Sequence, residues 1–157
     1  MSRETENQVN LSSLYQDIIL EHQKEPRSYG NMPQANRSAE GYNPMCGDRI
    51  QVQLKLDASG KKLIDQRFCG HACSICMASA SMMMEEVEGS EVSSVLKKVQ
   101  DFRDMMQGKA CRAKFEGDIE ALSGVKKFPV RIKCALLPWI TLKDAIEKSS
   151  RSETKNE

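Results

Sequence analysis

Between residues 49 and 56 apolar and polar side chains alternate without a break, with Ile50, Val52, Leu54 and Leu56 apolar and Arg49, Gln51, Gln53 and Lys55 polar. A period of two marks a strand with one buried face. DASGKK follows as a turn, and Leu63 to about Cys69 forms the return strand of an antiparallel hairpin. On either side the period becomes helical. Leu11, Leu14, Tyr15, Ile18 and Ile19 predict an amphipathic helix from Leu11 to about Glu25, with Ser12 or Ser13 as its cap and Pro26 as its end. Residues 26–45, rich in Pro, Gly, Asn and Ser, read as an extended loop broken at most by a short edge strand.

After the hairpin, Ile75, Ala78, Met82 and Met83 place one apolar face on a helix from Ser74 to about Glu88, closed by Gly89. Ser90 then caps a helix striped by Val92, Val95, Leu96, Val99, Phe102, Met105 and Met106, which Gly108 ends. A short helical turn around Asp118–Leu122 and a last helix from near Val130 to Lys148 complete the set. The expectation is a single domain over residues 11–148, with disordered polar tails at 1–10 and 149–157.

A chain of 157 residues can build its own core without metal or disulfides. A formal charge of +1, no basic stripe and few aromatic residues argue against nucleic-acid binding. Neither a membrane-length apolar run nor a hydrophobic leader is present, so the expected location is the cytoplasm. Six cysteines in that reducing compartment are not a disulfide framework; they divide between core positions and metal ligands or reactive thiols.

Candidate chemistry lies at the ends of the predicted elements. Cys46 and Asp48 share a CGD triplet just before the hairpin, Cys73 follows its second strand, and Cys134 sits about one turn into the last helix. A hairpin brings its two ends to one rim. Three thiolates and a carboxylate can close a tetrahedral zinc site or hold an iron–sulfur cluster. Taken singly, each has a plainer explanation: a turn aspartate, a buried corner cysteine, a core cysteine in a helix. The helix start favours thiolate at Cys73, and Arg131 and Lys133 do the same for Cys134. Cys69, Cys73 and Cys76 match the C-x3-C-x2-C spacing of radical SAM cluster loops, but this run crosses from strand into helix, which makes Cys69 and Cys76 core residues flanking a ligand. His22, beside Glu21 and Lys24, reads as solvated, whereas His71 is close enough to Cys73 to support the ligands. Pro138 cannot donate to the Cys134 carbonyl, so a kink that frees this carbonyl is expected.

The phrases LYQDIILEHQKEPRSYG, NPMCGDRI, ACSICMASASMM, DMMQGK, GDIEAL and VKKFPVRIKCALLPW occur in order from about Leu14 to Trp139. Through them the chain resembles the SufU-type branch of the IscU/NifU N-terminal-like family of iron–sulfur cluster assembly proteins. The resemblance implies an α+β fold, a small antiparallel sheet packed against several helices, with metal ligands Cys46, Asp48, Cys73 and Cys134. Lys133 stands where scaffold-type members have His, and the segment containing GDIEAL marks the SufU branch. That branch implies bound Zn2+ and acceptance of persulfide sulfur from a PLP-dependent, SufS-like cysteine desulfurase, followed by downstream assembly proteins. Cys46 is then the acceptor and Arg131 an orienting residue beside it. The alternatives are a scaffold holding a transient iron–sulfur cluster on the same ligands, and a non-catalytic zinc-stabilised activator of a desulfurase. Cys69, His71 and Cys76 depart from the family pattern.

Overall fold

The structure, a computed structural model, describes residues 15–109, 115 and 117–148. Helix α1 covers residues 15–24. Strands β1 (Arg37–Asn43), β2 (Asp48–Leu56) and β3 (Leu63–His71) follow, then helices α2 (Ser74–Val87) and α3 (Val92–Met106), a 3-10 helix (Gly117–Lys127) and α4 (Pro129–Lys148). The expected caps Ser12 and Ser13, both polar tails and Cys111 lie outside the described residues. No helix among the described residues is long and apolar enough to cross a membrane.

The three strands form one antiparallel sheet in the order β1-β2-β3. Central strand β2 buries every second residue, as its alternation predicts. Strand β1 is a full seven-residue edge strand rather than a short interruption of a loop. Its signal is weak because only Ala39 and Asn43 of RSAEGYN are buried. Helix α4 packs across β1 and β2, and α2 packs on α4, β3 and the 3-10 helix. The close approach of α4 to β1 depends on Gly41, where a Cβ would overlap the Thr141 hydroxyl and lie 3.0 Å from Leu137 Cδ1.

Helix α2 is buried almost all round, not on one face: Cys76, Ala78, Ser79, Met83 and Met84 are each fully buried. Elements on several sides require this, and its small and flexible side chains suit it. The buried serine is satisfied, since Ser79 Oγ donates to the Ala135 carbonyl at 2.6 Å and accepts from Trp139 Nε1 at 3.0 Å. The α3 stripe meets Trp139, with Phe102 stacked on its indole at 4.4 Å between ring centroids.

Three further expectations are corrected. Glu91, not Ser90, is the N-cap residue of α3, and no side chain caps it. The backbone there is held by the hairpin turn instead: Leu63 N donates to Ser90 O at 2.9 Å and Val92 N to Lys61 O at 2.8 Å. The helical turn near residue 118 is an eleven-residue 3-10 helix. His22 is not solvated but completely buried. Its Nδ1 lies 2.7 Å from Ser81 Oγ on α2 and its Nε2 2.9 Å from Asp118 Oδ2 on the 3-10 helix. Because Ser81 Oγ also accepts from Arg27 N at 2.8 Å, its proton is free to point at Nδ1, which leaves Nε2–H to donate to the carboxylate. Pro129 starts α4, a position that suits a residue with no N–H, and the helix runs on through Pro138.

Candidate metal centre

Three segments converge at one end of the sheet. The β1–β2 loop carries Cys46, β2 begins at Asp48, the β3–α2 corner carries Cys73, and α4 brings Cys134 in its second turn. The loop is tight: Asn43 and Asp48 face each other across the strand pair, and Gly47 adopts a φ of 71°, a backbone state that glycine takes without strain. Cys46 N donates to Asn43 O at 3.3 Å and Met45 N to Asn43 Oδ1 at 3.2 Å, which fixes the loop around the buried asparagine. Asn43 Nδ2 also points at Cys134 Sγ from 3.7 Å.

Asp48 is fully buried and serves two elements. Its Oδ1 accepts the Cys73 backbone N–H at 2.7 Å, and Oδ2 lies 3.7 Å from Cys73 Sγ. Cys73 is the N-cap residue of α2, and its sulfur accepts from Cys76 N at 3.5 Å. Cys134 Sγ sits 3.0 Å from Cys46 Sγ. One donor atom each from Cys46, Asp48 and Cys134 falls within 4.8 Å of the others, with Cys73 adjoining through Asp48. Donors on a tetrahedral zinc with bonds of ~2.3 Å stand about 3.8 Å apart. Cys46, Asp48 and Cys134 therefore fit a zinc ion after the Cys46–Cys134 pair opens by less than about 1 Å, and Cys73, outside that close group but 3.7 Å from Asp48 Oδ2, is the candidate fourth donor.

Burial outweighs the helix terminus in setting the charge of these thiols. It pushes the Cys73 thiol up, the Cys76 N–H offsets this in part, and the Asp48 charge adds to the rise. Burial also pushes Cys134 up strongly, and the hydrogen bond with Cys46 reinforces it. The expected lowering at both positions is thus reversed. Arg131 and Lys133 are exposed, so water screens their charge. The Arg131 guanidinium lies over the Phe128 ring at 5.5 Å, and Arg49 lies over Tyr42 at 5.2 Å.

The remaining cysteines differ from each other. Cys76 is core, as expected, and its thiol is pushed up by burial first and then by Asp48, Cys73 and Cys46. Cys69 is not core: it is half-buried, with Sγ 3.5 Å from Asn31 Oδ1 and 3.7 Å from Gln51 Oε1. His71 is exposed, opposite Arg49 in the strand register. Sequence reasoning missed Asn43; its one available signal was the NPMCGD turn, where an asparagine side chain can organise the following backbone.

A three-stranded antiparallel sheet backed by helices, with three thiols and a carboxylate gathered at its rim, defines an α+β domain built around a thiol-rich candidate metal centre. The chain belongs to the NifU-like N terminal domain family, which matches residues 14–150. It is 46% identical over 143 residues to the zinc-dependent sulfurtransferase SufU of Bacillus subtilis (strain 168), covering 89% of this chain and 94% of that protein. It is 38% identical to the iron–sulfur cluster assembly scaffold protein IscU of Streptococcus pyogenes serotype M1, covering 91% and 89% respectively. Among solved structures it resembles a putative iron–sulfur cluster assembly scaffold protein for the SUF system from Fervidobacterium islandicum AW-1, with a TM-score of 0.77 and 34% identity over 83% of this chain and 94% of that one. The family resemblance and the α+β class read from the sequence are borne out.

Proposed function

We propose that this chain is a zinc-dependent sulfurtransferase of iron–sulfur cluster biogenesis, accepting persulfide sulfur from a PLP-dependent cysteine desulfurase. The observation that carries the reading is the convergence of Cys46, Asp48, Cys73 and Cys134, with Cys46 alone on a surface loop between exposed neighbours. The Bacillus subtilis relative, matched along nearly its whole length, supports the same reading. The cytoplasm, which keeps thiols reduced, suits the described cysteines, all of which are free.

In this proposal Asp48, Cys73 and Cys134, each positioned by a strand or helix, would hold a zinc ion together with Cys46, and Cys46, on the loop, is the thiol that reacts. Zinc bound there would supply positive charge that keeps buried thiols ionised, with no redox chemistry of its own. The Cys46 thiolate attacks the outer sulfur of the desulfurase's cysteine persulfide. The sulfur–sulfur bond of the donor breaks, its cysteine departs as thiolate, and Cys46 becomes the persulfide. Arg131, three residues before Cys134 and therefore on the same side of α4, orients the incoming anionic sulfur. Met45, Phe128 and Val130, all more than half exposed, supply an apolar rim against which a protein partner docks before sulfur passes to downstream assembly proteins.

The test is metal analysis of protein purified without oxygen, joined to a desulfurase assay. One zinc per chain, no visible absorption and faster desulfurase turnover are expected. Iron, acid-labile sulfide and a brown colour would overturn the reading in favour of a cluster scaffold, the role carried in the name of the Streptococcus relative. Zinc and faster turnover with no sulfur trapped on the chain would leave only a zinc-stabilised activator.

A further inference from the structure

Cys76 has no part in the sulfur transfer described above, yet it lies against the centre. With Cys73 it forms a C-x2-C pair across the first turn of α2: Cys73 is the N-cap and Cys76 the third residue of the helix, whose N–H points at Cys73 Sγ from 3.5 Å. The side chain of an N-cap residue faces the second and third residues of its helix. A disulfide asks for Cβ atoms about 3.5–4.5 Å apart. Cys73 has extended rather than helical backbone angles (φ −65°, ψ 166°), so the movement that closes the bond falls at the cap and not within the helix.

The two thiols also differ in access. Cys73 is half-buried, at the open side of the corner, whereas Cys76 is fully buried. A disulfide from solution can reach the first and not the second, and the buried thiol lies one helical turn from it. We propose that Cys73 and Cys76 are a redox-active dithiol that exchanges with small disulfides of the glutathione class. The Cys73 thiolate attacks one sulfur of the oxidised glutathione, expelling one glutathione thiolate. Cys76 then attacks the Cys73 sulfur of the mixed disulfide and expels the second. The protein pair gives up two electrons and two protons, and one glutathione disulfide becomes two glutathione thiols. Closing this bond withdraws Cys73 from the donor set, a consequence that rests on the zinc-site reading above; the exchange itself does not.

The experiment uses the full chain, stripped of metal with a chelator and equilibrated without oxygen in buffers of increasing oxidised-to-reduced glutathione ratio. Samples are acid-quenched, alkylated and mapped by peptide mass, and Co2+ is added in parallel as an optical probe of thiolate ligation. The expected result is a peptide linked through Cys73 and Cys76 in the oxidising arm, with loss of the cobalt–thiolate absorption in step, while cobalt-loaded protein resists oxidation. In Cys76→Ser and Cys76→Ala the reaction stops at a glutathione mixed disulfide on Cys73. Free, alkylatable Cys73 and Cys76 in wild-type protein under oxidising buffer would overturn the proposal, as would linkage of Cys73 to Cys46 or Cys134. Because the mapping needs no variant, a poorly folded substitution leaves the test intact. Failure of the reduced protein to bind cobalt at all would count against the zinc-site reading instead, and the mapped linkage would still decide this one.

Discussion

His22→Ala separates a surface histidine from a buried tie between three helices. The imidazole is 0% exposed and makes two side-chain hydrogen bonds, 2.7 Å to Ser81 and 2.9 Å to Asp118. Each hydrogen bond contributes about 1 kcal/mol net. The loss is softened because Ser81 keeps the Arg27 N–H and Asp118, 45% exposed, takes up water. Removing a buried ring and leaving a cavity costs about 2 kcal/mol or more. The sum is about 3 kcal/mol, equivalent to a fall in Tm of roughly 6–12 °C for a chain of this size. Urea unfolding of the wild type, His22→Ala and the exposed neighbour variant Gln23→Ala measures it. Gln23→Ala is expected within about 0.5 kcal/mol of wild type. Combining His22→Ala with Ser81→Ala should give a coupling energy of at least about 0.5 kcal/mol. A His22→Ala cost below about 1 kcal/mol would refute the buried tie and restore the solvated histidine.

Two further outcomes follow from the same packing and charge arguments. Gly41→Ala forces a methyl into Thr141 and against Leu137, so it is expected to destabilise by about 1–3 kcal/mol and to weaken cobalt binding by displacing α4 and with it Cys134; unchanged urea unfolding contradicts the close β1–α4 approach. The raised Cys73 and Cys134 thiols predict that chelator-treated protein loses stability as the pH climbs past the ordinary thiol range. There the unfolded chain gives up protons that the folded chain still holds, so the stability is complete below about pH 8 and declines above it. Unfolding curves between pH 7 and 10 with and without Zn2+ check the sign; a rise in the chelated sample contradicts it.

Where one face of an element is buried and the other wet, its period is visible in the sequence. Strand β2 and the α3 stripe were legible for that reason, and the hairpin alone already implied that the CGD triplet and Cys73 meet. Edge strand β1 was nearly silent because it buries two residues in seven. Helix α2 was read as one-faced because surrounding elements, not its own pattern, bury its other sides. His22 was misjudged from its polar sequence neighbours, whereas its actual environment comes from Ser81 and Asp118, far away in the chain. The direction of the Cys73 and Cys134 shifts was reversed for a related reason: a helix terminus and nearby cations are visible in sequence, and desolvation is not. Asn43, which braces the Cys46 loop and reaches Cys134, needed the β1–β2 register to be seen.

The central claim is that Cys46 receives the sulfur. The most direct measurement is transfer of 35S from a cysteine desulfurase and labelled cysteine to the zinc-loaded chain without oxygen, followed by peptide mapping, for wild type, Cys46→Ala and the control Cys69→Ser. The account predicts label on Cys46 in the wild type and in Cys69→Ser, and a rate lower by roughly tenfold or more in Cys46→Ala, as befits loss of a nucleophile. Labelling of Cys46→Ala at the wild-type rate would contradict it.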